Sequence, residues 1–159
     1  MTEFEQLQAV VAKLRDRESG CPWDRALTHD SLKPTCIEEA AEVICGINIL
    51  NETGNPESLA EELGDLLLQV VMHAQIAEEE GLFTMDDVAR GVREKMVRRH
   101  PHVFRDAQTP ASGTEQASWD AIKKQEKAGK EWMEAYLPEA MLETRDLVDR
   151  ARRRKGFLK

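Results

Sequence analysis

Residues 31–80 read SLKPTCIEEAAEVICGINILNETGNPESLAEELGDLLLQVVMHAQIAEEE, and the fold turns on this stretch. It holds two long runs with helical periodicity, parted by a break at Thr53-Gly54-Asn55-Pro56. Ser31 can cap the first run, with Pro34 inside the tolerant first turn, and the run extends to about Asn51. Asn55 as cap and Pro56 at the first helical position open the second, which reaches about Glu80, where Gly81 can end it. The second run is markedly apolar (Leu59, Leu63, Leu66, Leu67, Val70, Val71, Ala74). A homodimer that covers part of it is therefore expected.

The flanks continue the pattern. Upstream, Phe4, Leu7, Val10, Val11 and Leu14 recur at helical spacing between Thr2 and about Glu18. Ser19-Gly20-Cys21-Pro22 then opens a loop running to about Asp30. Downstream, a helix is expected from Thr84 to near His100-Pro101, and a flexible loop over Arg105 to Gly113. Helical pattern resumes from about Thr114 to Lys127, breaks at Gly129 and returns from Pro138 to about Arg154. Five or six helices with short connections make an all-α bundle.

Composition agrees. The 159 residues suit one domain, 41% apolar and 33% charged, with only 5% aromatics and no long alternating runs. The formal charge of −8, from 22 basic and 30 acidic residues, argues against a partner that is a nucleic-acid polymer. It leaves a nucleotide substrate open, because a divalent cation converts an acidic pocket into a phosphate site. Acid dominates from Glu38 to Asp87, whereas Arg150 to Lys155 is strongly basic. The cysteines, Cys21, Cys36 and Cys45, form no CxxC pair, which points to a reducing cytoplasm. No apolar run approaches the roughly 20 residues needed to span a bilayer, so no membrane partner is expected.

The two central runs carry the chemistry. Residues three or four apart share a helix face, so Glu39 with Glu42, and Glu62 with Asp65, are paired carboxylates. At about 100° per residue each pair borders its helix's apolar stripe. Glu39 and Glu42 border Val43, Ile47 and Leu50; Glu62 and Asp65 lie beside Leu63 and Leu66. Packed as an antiparallel hairpin, the two helices would bring all four carboxylates to one rim. Their repulsion there calls for protonation, basic partners or a metal. An all-oxygen donor set suits Mg²⁺ or Mn²⁺. A di-iron site would want Glu-x-x-His on two helices, and here the second pair ends in Asp65 with His73 two turns further on. Acidic runs also occur as plain solvated faces, and spacing alone leaves that reading open.

The wider pattern is similar to a known family. Glu38-Glu39-x-x-Glu42, followed about twenty residues later by Glu62-Leu63-Gly64-Asp65, resembles the metal-binding signature of MazG-type nucleoside triphosphate pyrophosphohydrolases. Cys21-Pro22-Trp23-Asp24, Thr28-His29-x-Ser31-Leu32-Lys33-Pro34, Glu61 through Gln69 and Arg99 through Phe104 resemble it too. The likeness runs from about Leu14 to Lys130 and implies a four-helix-bundle core of the all-α NTP pyrophosphatase type, with extra C-terminal helices. Residues 1–130 are then expected to form that domain and residues 131–159 a helical tail. The resemblance also implies Mg²⁺-dependent cleavage of the α–β phosphoanhydride of NTPs or dNTPs. Glu39, Glu42, Glu62 and Asp65 match the metal ligands, and Glu38 matches the further glutamate, which either completes a second metal or orients and deprotonates the attacking water.

Leaving-group charge needs cationic support, for which Lys33, Arg98, Arg99, Lys123 and Lys124 are candidates, each also readable as surface solvation. Trp23 and Trp119 can stack on a base, and Trp23 can equally anchor its loop in the core. Asp24 reads as a cap or salt-bridge partner. His100, His102 and His73 read as structural, the last as a satisfied interior histidine. Longer family members carry two such domains in tandem, and Leu137 through Lys159 resembles the link into the second. A housecleaning role with broad base tolerance is the leading expectation. Narrow specificity for one deoxynucleotide, and a non-catalytic dimerisation or binding module, are the alternatives.

Overall fold

The computed structural model describes residues 1–104 and 115–158, and every regular element among them is an α-helix. In chain order these are α1 (Glu3–Leu14), α2 (Pro22–Ala26), α3 (His29–Thr53), α4 (Glu57–Glu79) and α5 (Met85–Arg99). There follow α6 (Pro101–Phe104), α7 (Glu115–Lys127), α8 (Glu131–Glu134) and α9 (Leu137–Arg154). The loop expected over Arg105 to Gly113 lies outside the described residues. No helix among the described residues is long and apolar enough to cross a membrane.

The chain divides into two compact units, one of Met1–Met85 with Glu143–Lys159, the other of Asp86–Leu142. The first is built on the α3–α4 hairpin. Thr28, rather than Ser31, is the cap of α3: its hydroxyl accepts from the Ser31 N–H at 3.2 Å, and the Ser31 hydroxyl accepts from the Thr28 N–H at 2.8 Å. Ser31 is thus the return half of a capping box, which shifts the start by three residues. Pro34 consequently falls in the second turn, where the carbonyl of Asp30 loses its usual donor. Gly54 ends α3 in the left-handed region at φ 75°, donating to the Leu50 carbonyl at 2.8 Å. Asn55 Oδ1 accepts from the Glu57 N–H at 2.9 Å, so α4 starts at Glu57, one residue later than its spacing predicts.

The core of this unit gathers Val11, Leu32, Val71, Met72 and Ile76, with Leu7 and Leu27 packed against it. Only Leu7 and Val11 of the α1 apolar set turn inward; Phe4, Val10 and Leu14 stay exposed, so the buried stripe of α1 is narrower than its periodicity suggests. Cys21-Pro22-Trp23-Asp24, expected as loop, contains the short α2, with Pro22 at its first position.

Arg15 ties these pieces together. It is 8% exposed and grips Glu79 through Nε and Nη2, both at 2.8 Å. Its Nη1 donates to the carbonyls of Asp24 at 2.6 Å and Leu27 at 3.2 Å, joining the end of α1, the α2 turn and the end of α4.

In the other unit, Arg98 and Arg99 of α5 both pair with Glu126 of α7. The Arg99 guanidinium lies 5.0 Å from the Trp119 ring centre, and His100 meets that ring edge-on at 4.9 Å.

Candidate metal centre

The hairpin runs antiparallel, as successive pairings show: Gly46 against Leu59, Glu39 against Glu62, Cys36 against His73 and His29 against Glu80. Close approach depends on Gly46. A Cβ there would stand 2.8 Å from the Leu59 Cα, a backbone atom that cannot swing away. Gly46→Ala is therefore expected to push the helices apart and cost about 1–3 kcal/mol, read as a lowered urea midpoint with an unchanged slope.

Held at that separation, the helices bring one carboxylate oxygen each from Glu39, Glu42 and Glu62 within 4.8 Å of one another, all three residues half-buried. Asp65, one turn beyond Glu62, is exposed, yet among neighbouring charges it does most to raise the Glu39 pKa. Glu38 completes the rim, half-buried next to Glu39.

Burial first, then the charges of Asp65, Glu62 and Glu38, hold the Glu39 carboxyl above its ordinary value of 4.5, with Lys155 opposing. The folded state therefore binds this proton more tightly than the unfolded chain. Stability associated with Glu39 is present at low pH and is lost as pH rises from 4.5 through the raised value. Glu39→Gln should accordingly raise the melting temperature of the metal-free protein at pH 7.5. The gain should vanish near pH 4, which paired melts in chelator would reveal.

Two cations already answer this charge. Arg154 pairs with Glu38, and Lys155 pairs with Glu42, both reaching back from the end of α9. An all-oxygen, half-buried, mutually repelling set that attracts cations fits a hard divalent ion. A further acceptor lies on α4 one turn past Asp65. Gln69 is 7% exposed, and its Oε1 meets no hydrogen-bond donor among the described residues.

The other residues singled out in the sequence are placed as follows. Lys33, in the same unit, is exposed and paired with Asp30 at 2.9 Å and Glu143 at 3.2 Å. Trp23 is 80% exposed, so it does not anchor its loop in the core, and its ring is open for stacking. Asp24 serves through its backbone carbonyl, on Arg15. Arg98, Arg99, Lys123 and Lys124 belong to the second unit, the arginines engaged with Glu126 and the lysines exposed on α7.

His73 is half-buried and contacted on both sides, by His29 Nδ1 at 2.7 Å and by Cys36 Sγ at 3.4 Å, in keeping with an interior structural histidine. Burial, then the neighbouring His29, lowers its pKa and so favours the neutral ring. Sequence reasoning missed Arg154 and Lys155. The basic run from Arg150 to Lys155 was the available signal, but nothing in its spacing says which acidic segment it meets.

Comparison with known proteins fits this geometry. Residues 27–104 match the MazG nucleotide pyrophosphohydrolase domain. The chain is 51% identical over 127 residues to the nucleoside triphosphate pyrophosphohydrolase/pyrophosphatase MazG of Thermotoga maritima, covering 80% of this chain and 46% of that protein. It is 41% identical over 130 residues to the nucleoside triphosphate pyrophosphohydrolase of Escherichia coli K12, covering 82% and 48%. It is also 48% identical over 125 residues to the uncharacterized protein YabN of Bacillus subtilis, covering 79% and 24%. The chain thus spans about half, or less, of the length of the curated relatives it matches.

Proposed function

Because the chain belongs to the MazG nucleotide pyrophosphohydrolase family, we propose that it hydrolyses nucleoside and deoxynucleoside triphosphates to monophosphate and pyrophosphate at the α3–α4 carboxylate rim. The observation that carries this reading is the convergence of Glu39, Glu42 and Glu62 within 4.8 Å. With Asp65 they would hold Mg²⁺, for which Mn²⁺ can substitute. Bound there, such an ion would supply positive charge against the triphosphate and a lowered pKa for a water at the site. Glu38, adjacent to the ligand set, takes the proton of the attacking water and so keeps the nucleophile charged. Lys33, in the same unit as the rim, is the cation offered to the pyrophosphate, and Trp23 offers a stacking face for the base.

A row of exposed apolar side chains supports a homodimer or higher oligomer: Ile44 and Ile47 on α3, with Leu63, Leu67 and Val70 on α4. Residues 1–130 act as the catalytic domain and 131–159 as a helical tail. The free cysteines suit a reducing cytoplasm, where the enzyme removes non-standard or damaged nucleotides.

The base contact proposed here is stacking on Trp23, and stacking discriminates little between bases, which supports broad tolerance. Rates of monophosphate and pyrophosphate release across a panel of NTPs and dNTPs should lie within about tenfold of one another. A single active nucleotide would defeat the broad reading in favour of narrow specificity.

A further inference from the structure

A cavity of about 520 Å³ opens beside the carboxylate cluster, and one of its walls comes from the C-terminal segment. Ile37, Ala41 and Cys45 line it from one face of α3, while Val148, Ala151 and Phe157 face them from α9 and the residues after it. Glu38, Glu42 and Glu62 border the cavity on its acidic side, with Arg152 and Lys155 also lining it. All of these residues belong to one compact unit. The lining therefore combines charged and apolar side chains, and the exposed ring of Phe157 is among them.

We propose that residues 148–157 form the second wall of the nucleotide site, Phe157 packing on the nucleoside while Arg154 and Lys155 hold phosphate oxygens. This rests on the reading of the carboxylate rim as the triphosphate site. A nucleoside triphosphate joins a polyanion to a flat, largely apolar ring system. The lining holds groups for both: cations beside the carboxylates for the one, and the small side chains of Ala41 and Ala151 with the Phe157 ring for the other. Arg154 and Lys155 sit on Glu38 and Glu42, so a cation entering the rim frees them beside the incoming phosphates. A cation-bearing wall of this kind binds the triphosphate electrostatically and the base by stacking.

The rival is a plug: a tail whose cations merely compete for the carboxylates. The two predict opposite signs. Binding of a non-hydrolysable α,β-methylene nucleotide in Mg²⁺, followed by calorimetry, separates them, with steady-state kinetics alongside. Phe157→Ala should weaken binding and raise KM about fivefold or more, the scale of one stacked base, while changing kcat less than about threefold. Arg154→Ala combined with Lys155→Ala should weaken nucleotide binding at least about tenfold without weakening Mn²⁺ binding measured alone. Lys155→Arg should keep most of the wild-type affinity. Unchanged nucleotide affinity in both Ala variants, with thermal melts intact, overturns the wall, and tighter binding establishes the plug instead. If the wild type hydrolyses NTPs normally through all this, only the wall falls. A wild type that neither binds the analogue nor hydrolyses NTPs overturns the underlying reading as well.

Discussion

Glu42→Ala and Asp65→Ala are each expected to lower Mg²⁺-dependent NTP turnover by at least about a hundredfold while leaving the helical circular-dichroism spectrum intact. Substitutions that only touch the surroundings of a metal ligand commonly cost about ten- to a hundredfold, and losing a ligand removes charge from the ion itself. The fold should survive because both side chains stand at the rim rather than in the core. Removing Asp65 also relieves the repulsion that raises the Glu39 pKa, in which it is the foremost charge. Glu42→Ala lacks that relief. Glu42 is paired with Lys155, so its loss leaves that cation unmatched, and the metal-free melting temperature should gain less than in Asp65→Ala. A non-catalytic helical module predicts no loss of hydrolysis in either variant, so retained turnover in both would remove the site assignment.

Arg15→Met should lower stability by about 3 kcal/mol, the lower end of the cost of breaking a buried ion pair. For a chain of this size that is a fall in melting temperature of roughly 6–12 °C. The lower end applies because the Glu79 side chain is partly exposed, at 30%, and keeps some hydration once its partner is gone. The loss is more than one ion pair, since Arg15 also satisfies the carbonyls of Asp24 and Leu27. A pH series checks the assignment. The Arg15 hydrogen bond is the largest influence holding the Glu79 carboxyl below its ordinary value of 4.5. The wild-type advantage is therefore fully present above that value and is lost as pH falls through the depressed one. At neutral pH the two proteins should differ most, and in strong acid their melting temperatures should converge.

These predictions draw on features of unequal legibility in the sequence. The α3–α4 hairpin was readable because Thr53-Gly54-Asn55-Pro56 punctuates two long periodic runs, and Gly54 does end α3 in the left-handed conformation. The nearness of Glu39, Glu42 and Glu62 was also inferable, since helical spacing fixes which side chains share a face. Helix starts were less readable. Thr28 and Ser31 can each cap, and only the reciprocal hydrogen bonds decide between them. The exposure of Trp23 was hidden for a different reason: a short helix carries no periodicity from which to read an inward face. Arg15 carries no signal in the sequence, because its three partners come from segments whose meeting is a property of the packed core. The pairing of Arg154 and Lys155 with Glu38 and Glu42 spans more than a hundred residues of sequence, and charge complementarity does not specify an address.

The most direct test of the account is the product of one turnover. Phosphorus NMR of ATP incubated with the full chain, with and without Mg²⁺, separates cleavage at the α–β bond from cleavage at the β–γ bond. The carboxylate rim predicts AMP and pyrophosphate, formed only when the divalent cation is present. ADP and orthophosphate, or equal rates in chelator, would contradict it.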